Sequence, residues 1–386
     1  MEKGLIDKRG DPVPSIQKDF NDPFGSKSYC TKPFCQVFTD AANRYRLCAD
    51  AGITKEIKDM NIGTTLPLDY FRSPEMDKVR EKMLRGEKIT GCENCYEQES
   101  KTGWSYRQQY MARISKDYGL TEFPRAPLKP RIKLRTIGTK CNLGCYMCRP
   151  YDSSTRRQEL KAAGLIDTWN DLGLDEFERE WVSNVSSKDV EKFNQNILDN
   201  IDRVRQIRIF GGEPVLLDRV WQFLDDIKSD DAKNIEIEMT TNLTHISYKN
   251  WSLKSIDKKF KNLKLGVSCD HFGKKLEFIR YPIDVQEFEK NLMIMKDHVL
   301  QIYCTVSILN AFDLKEIEEY YKDFRVWFEP VNSPASLSIK NLPNKDEIEY
   351  IPNELIKNEL MKPKNNDEYK KGIAYIQALQ NHRRGV

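Results

Sequence analysis

Four histidines in 386 residues leave very little imidazole chemistry available. No His-Asp-Ser or His-Glu-His constellation can be assembled from them, so hydrolase and zinc-protease readings have no support. No apolar run approaches the length of a membrane span, and no secretory signal is recognisable, so a cytoplasmic protein without a membrane partner is expected. Charge of one sign is also scarce: 62 Lys and Arg face 59 Asp and Glu, a formal net charge of +3. That imbalance is too small to argue for a nucleic-acid partner. Internal repeats and sustained low-complexity segments are lacking too. What is present is a hydrophobic share of 39%, enough for a real core, a length that suits two to three domains, and ten cysteines. In a reducing cytosol those cysteines are not expected to pair as disulfides.

Three of them fall in the run Lys-Cys-Asn-Leu-Gly-Cys-Tyr-Met-Cys-Arg, at Cys141, Cys145 and Cys148. Three thiolates within eight residues can hold three irons of a four-iron, four-sulfur cube. No nearby cysteine supplies a fourth, so one iron stays open to a further ligand. A zinc site is the plainer alternative, but zinc usually takes four ligands from paired C-x2-C elements. The alternating stretch Arg131 to Gly138 after Pro130 reads as a strand ending just before the cysteines. A second strand, Gln206 to Phe210, runs into Gly211, Gly212, Glu213 and Pro214. Two glycines let a backbone approach a ligand closely, and Glu213 can accept hydrogen bonds from an ammonium group.

The C-x3-C-x2-C spacing together with Gly-Gly-Glu-Pro resembles the radical S-adenosylmethionine (SAM) superfamily. The resemblance implies a [4Fe-4S] cluster on Cys141, Cys145 and Cys148 whose unique iron is chelated by SAM, with Gly211 to Pro214 contacting the amino group of the methionine moiety. In that family an electron from the cluster cleaves SAM to methionine and a 5'-deoxyadenosyl radical, which removes a hydrogen atom from the substrate.

Further runs at Ile235–Thr240, Leu263–Ser268, Gln301–Leu309 and Arg325–Glu329 each precede a helix-length segment. Six strands alternating with helices predict an α/β fold, a partial, TIM-like (β/α)6 barrel whose reacting groups gather at the carboxyl ends of the strands. Asn242, Ser268, Asp270 and Asn310 occupy such ends, where polar residues also serve as caps and turn formers. Resemblance to the family implies that Asn242, Ser268 and Arg280 hold the ribose and carboxylate of SAM, with Asp270 facing SAM or substrate. Met147, before the third cysteine, stands where the family often has an aromatic residue near the adenine.

Five more cysteines crowd the N-terminal third: Cys30, Cys35, Cys48, Cys92 and Cys95. The first segment reads as a hairpin delivering a thiolate at each end, and Cys92-Glu-Asn-Cys95 follows a helical segment, Pro74 to Gly86. Four such thiolates can enclose zinc or a complete iron-sulfur cube. This segment resembles the twitch module, the shorter relative of the SPASM domain, with Asn43 where the family has glycine; asparagine tolerates the left-handed turn. The resemblance implies an auxiliary [4Fe-4S] cluster on Cys30, Cys48, Cys92 and Cys95, with Cys35 spare or replacing Cys30, and zinc as the alternative metal. Such a cluster, fully ligated by protein, would serve electron transfer.

The expected organisation is an auxiliary module over 1–125, ending in a proline-rich linker, a core over 126–345, and a helical tail over 346–386 whose Ile373, Ile376 and Leu379 share one face. Asn332 to Pro343 reads as a loop near the rim of the site. Cys269 and Cys304 read as small buried side chains, with hydrogen-atom return by Cys269 as the sharper alternative. The function expected is a radical SAM oxidoreductase acting on a peptide or small-molecule substrate, with an electron donor such as a flavodoxin or ferredoxin. A peptide is favoured; a sugar or nucleotide is the alternative substrate, and a zinc-stabilised binding protein the alternative of another class.

Overall fold

Alternating and apolar runs separated by amphipathic segments become parallel strands and covering helices, because strands buried on both faces need a helix-length crossover to run in one direction. A computed structural model describes residues 28–40, 43–103, 105–120, 122–134, 138–150, 152–166 and 186–385. Among these, seven strands make up the mainly parallel sheet of an α/β fold. The chain divides into two compact units.

The first unit takes the described residues within Met1–Thr136, Trp181–Arg208 and Asp226–Ile235. Its strands β1 (Gln36–Phe38), β2 (Arg131–Leu134) and β3 (Gln206–Ile209), the last reaching one residue beyond it, lie in that order. β1 and β2 run parallel, with Gln36 opposite Arg131 and Phe38 opposite Lys133. Residues 135–137 of the expected first strand lie outside the described residues. β1 is a seventh strand beyond the six expected; three residues wedged between cysteines show no usable periodicity. Beyond it the chain turns back, with Thr39 bridging Tyr45 antiparallel and Asn43 at φ 62°. Asparagine therefore takes the left-handed turn conformation that the glycine comparison anticipated.

The proline-rich stretch before β2 is pinned to this unit: Tyr29 donates its hydroxyl to Pro124 O (2.7 Å), and Leu128 N–H donates to Phe34 O (2.8 Å). Gly91, at φ 91°, lets two loops meet backbone to backbone, its carbonyl accepting from Gly52 N–H at 2.6 Å. A Cβ there would lie 2.9 Å from the carbonyl oxygens of Gly52 and Ile53. This contact draws the loop after Cys48 against the turn before Cys92.

The second unit takes the described residues within Ile137–Glu180, Ile209–Asp225 and Glu236–Val386. Its strand β4 (Glu236–Thr241) precedes a small hairpin of β5 (Ser247–Tyr248) and β6 (Trp251–Ser252). The sheet continues with β7 (Asn262–Ser268), β8 (Val299–Val306) and β9 (Val326–Pro330), all parallel, in the order β4-β7-β8-β9. The tail is a helix, Asn366–Arg384, capped by the Asn365 side chain and buried through Gly372, Tyr375, Ile376 and Leu379. Tyr375 rather than Ile373, which is half-buried, joins the core with Tyr146, Leu160, Val331, Leu337, Ile376 and Leu379. Each large apolar side chain fully withdrawn from water there contributes about 1.5–3 kcal/mol. Asn332 to Pro343 forms short 3-10 turns in which Ser336, Leu337, Ser338, Ile339 and Asn341 are buried, so most of it is core packing rather than an open rim.

Candidate functional site

The loop carrying Cys141, Cys145 and Cys148 belongs wholly to the second unit, and its backbone is held carbonyl by carbonyl. Thr155 Oγ1 donates to Cys141 O (2.5 Å), Ser153 Oγ to Leu143 O (3.2 Å), and Arg156 Nε to Cys145 O (2.9 Å). Arg156 Nη2 and Arg383 Nη2 both donate to Gly144 O at 2.5 Å, and Tyr375 donates its hydroxyl to Tyr146 O (3.1 Å). Glu159 accepts from Arg156 Nη1 and Arg383 Nε, each at 2.6 Å, so the two guanidinium groups are tied through one carboxylate. Ser153 is also the N-cap of the helix Ser154–Ala162, accepting from Arg156 N–H. That cap starts the helix immediately behind the cysteines and aims Arg156 and Glu159 at them.

Burial raises all three thiols, and for two of them a neighbouring thiol adds to this: Cys141 reaches about 12 with Cys145 as its main charged neighbour, and Cys148 is raised by burial, then by Cys145, Asp152 and Cys141. For Cys145, burial is opposed by Arg280. Thiols that are expensive to ionise alone become ligands when a cationic centre takes up the charge, with release of protons.

Glu213 is fully buried and hydrogen-bonded to neighbouring backbone and side chain. Its Oε1 accepts from Thr241 Oγ1 (2.7 Å) and Val215 N–H (3.2 Å), and its Oε2 accepts from Asn242 N–H (2.7 Å). Burial lifts it from 4.5 to about 7 against the pull of those hydrogen bonds. The side chain thus fixes the end of β4, while the preceding glycines present backbone. Gly211 and Gly212 sit at φ 108° and 53°, and Glu213 N–H donates to Lys140 O (2.8 Å). A Cβ on Gly212 would collide with the Thr139 and Lys140 backbone, so only glycine lets the turn press against the residue before Cys141.

Asn242 stands beside the thiols: its Nδ2 donates to Asn142 Oδ1 (3.0 Å) and lies 4.0 Å from Cys141 Sγ. Arg280 Nη1 lies 3.8 Å from Cys145 Sγ, and its Nε is 2.7 Å from Asp270 Oδ2. Asp270, fully buried, also accepts from Thr305 N–H (2.7 Å), so its carboxylate orients Arg280 and the start of the β8 exit. Asn310 is a turn clamp, donating to Asp270 O (2.9 Å) and Thr305 O (3.1 Å). Ser268 ends β7 half-buried, and Met147 packs against the tail-helix core. Cys269 Sγ is enclosed between His271 O (3.0 Å) and the Tyr321 hydroxyl (3.2 Å), and burial pushes it up to about 12; Cys304 is likewise buried. Both behave as small interior side chains.

In the first unit, Cys30, Cys48, Cys92 and Cys95 line one cavity of about 430 Å³, its open mouth included, with Lys32, Asp50 and Tyr110. Cys35 does not line it; buried, it donates to Thr31 O (3.2 Å). Cys92 caps the helix Glu93–Thr102, so both members of the C-x2-C pair face the space that the hairpin cysteines reach. Burial raises Cys30 to about 11 and Cys95 to about 12, with neighbouring thiols adding to it. Among the described residues, no group of three or more His, Cys, Asp or Glu side chains closes on a single-ion position.

Several residues escaped sequence reasoning: Thr241, Arg156, Glu159, Tyr375, Arg383 and Lys32. The Ser153 cap behind the cysteines was a usable local signal. Nothing local marked Arg383, which meets Gly144 across 239 positions.

Residues 136–324 match the Radical SAM superfamily. No curated protein matches the chain. Similar solved structures include SuiB of Streptococcus suis bound to S-adenosylmethionine, at 16% identity and a TM-score of 0.35 over 72% of this chain and 57% of that one. SuiB bound to the precursor peptide SuiA gives 15% and 0.35 over 82% and 66%. TYW1 with a lysine-pyruvate adduct gives 14% and 0.30 over 67% and 80%. The chain spans less than two thirds of SuiB.

Proposed function

We propose that this chain is a radical SAM enzyme in which Cys141, Cys145 and Cys148 hold the SAM-cleaving cluster, the four N-terminal thiols hold an auxiliary cluster, and a peptide-derived substrate is modified. The observation that carries the reading is the gathering, within one unit, of three thiols, the Gly211–Pro214 turn, Asn242 and Arg280. The donor set fits the group: thiolates suit iron-sulfur chemistry, and an amide N–H and a guanidinium face two of the sulfurs. When bound, the cluster supplies the electron that cleaves SAM reductively and so starts hydrogen abstraction.

The chain's own residues do the rest. Arg156, Arg383, Ser153, Thr155 and Tyr375 fix the loop, so the thiols need little reorganisation when they take up iron. The glycine turn offers close backbone to the methionine end of SAM, with Glu213 locking that turn to β4. Arg280, oriented by Asp270, puts positive charge beside Cys145 and suits the SAM carboxylate. The four cysteines around one cavity support a second, fully ligated cluster in a twitch-like module, whose role is electron transfer.

Iron and acid-labile sulfide per chain after anaerobic reconstitution test both sites. Wild type is expected to hold roughly eight irons, falling to about four when Cys141, Cys145 and Cys148 are replaced together by alanine. About four falling to none would remove the auxiliary cluster while keeping the SAM-cleaving one. No iron in either protein would overturn the reading and favour a zinc-stabilised binding protein.

A further inference from the structure

Lys32 follows Cys30 by two residues and opens the short helix Lys32–Cys35, yet it is only 2% exposed. Among the described residues its Nζ has no hydrogen-bond partner. Among the described residues the nearest carboxylate oxygen is Asp50 Oδ2, 3.6 Å away, and the face of Tyr110 lies 3.1 Å from Nζ to its centroid. The ammonium therefore rests on an aromatic ring and borders the cavity lined by Cys30, Cys48, Cys92 and Cys95. A lysine withdrawn from water this far is costly unless anions compensate it. One carboxylate beyond hydrogen-bond reach compensates it only in part, and an aromatic face offers attraction without accepting a conventional hydrogen bond. Besides Asp50, the groups lining the cavity that become anionic as metal ligands are the four cysteines. The other nearby cation, Arg107, is occupied by Glu99 and Tyr29 O.

We infer that Lys32 is the built-in counter-cation of the N-terminal iron-sulfur cluster and raises its reduction potential; this rests on the reading of those four thiols as cluster ligands. A four-thiolate cube carries net negative charge and gains one more on reduction. A fixed positive charge in a poorly screened cavity favours the reduced state more than the oxidised one. Lys32 is thus a positioning and tuning residue rather than a ligand. It suits a cluster that takes up an electron during turnover.

The test is an electron paramagnetic resonance redox titration of the full-length Cys141/Cys145/Cys148→Ala protein, whose remaining iron belongs to the N-terminal site. It is compared with the same protein carrying Lys32→Met or Lys32→Arg. The inference predicts equal iron content, a midpoint potential more negative in Lys32→Met, and recovery of most of that shift in Lys32→Arg. Loss of iron in Lys32→Met but not in Lys32→Arg would also support a counter-cation, because charge and not shape is then required. Equal midpoints in all three, with iron in place, would overturn the inference while leaving the cluster reading standing. Iron loss in both variants would overturn it as well. Zinc instead of iron in the parent would remove the cluster reading and the inference together.

Discussion

Replacing Arg383 by methionine should loosen the SAM-cleaving cluster from a distance, because this guanidinium, together with the Tyr375 hydroxyl, ties the tail helix to the cysteine loop. Arg383 is 8% exposed at its side chain, donates to Gly144 O and Glu159, and lies 4.5 Å from the centroids of the Tyr146 and Tyr281 rings. A hydrogen bond to a charged group contributes about 1.5–3 kcal/mol net. Arg156 still serves both Gly144 O and Glu159 in the variant, so the combined loss is set at about 3 kcal/mol rather than double that. If half or more of this is felt by the loaded loop, iron should leave it roughly 10- to 100-fold faster, at about 1.4 kcal/mol per decade. The assay is anaerobic removal of iron by a coloured chelator, followed to completion. The iron of the N-terminal site serves as an internal control, since its ligands lie in the other unit. Arg383→Lys, which keeps charge but not the fork, should fall between the two. If Arg383→Met released all its iron at the wild-type rate, the clamp would have no role in holding the cluster.

Three further outcomes are expected. Gly212→Ala places a methyl group in the Thr139–Lys140 backbone at a left-handed φ, which costs roughly 1–2 kcal/mol before any clash; SAM affinity by equilibrium dialysis should fall at least about tenfold, with N-terminal iron unchanged, and unchanged affinity would contradict the close approach. Glu213 binds its proton more tightly folded than unfolded, so its buried charge weakens the fold as pH rises from 4.5 to about 7 and adds no further slope above. At about 1.4 kcal/mol per pH unit the effect is about 3 kcal/mol at most, and Glu213→Gln should flatten it in urea midpoints measured across that window; an identical slope would sink the assignment. Cys92→Ala with Cys95→Ala should remove about four irons, one cube, yet leave SAM cleavage in place; loss of cleavage would show that the two sites are not independent.

What could be read from residues in order was largely what is local. The spacing of Cys141, Cys145 and Cys148, the two glycines before Glu213, and the strand patterns all act over a few positions, and Asn43 takes the left-handed turn that its side chain permits. The seventh strand, Gln36–Phe38, was too short to show a period and pairs with residues 95 positions away. Glu213 is expected from sequence to accept from an ammonium group; what the order of residues does not show is that its carboxylate also takes donors from Thr241 and Asn242, because a fully buried acid needs them and the end of β4 supplies them. Arg383, Glu159 and Arg156 look like ordinary solvated charges in sequence. Only the fold brings the two arginines to Gly144 O with Glu159 between them, and only the fold sets Lys32 at the cavity that four cysteines line. Such long-range pairings leave no trace in periodicity or composition.

On the proposed function, Cys141, Cys145 and Cys148 support reductive cleavage of SAM. The most direct measurement is 5'-deoxyadenosine formed by the reconstituted, chemically reduced protein given SAM, for wild type and for the triple alanine variant at matched N-terminal iron. Formation by the wild type and none by the variant is expected. Equal formation by both, or none by an iron-loaded wild type, would contradict it.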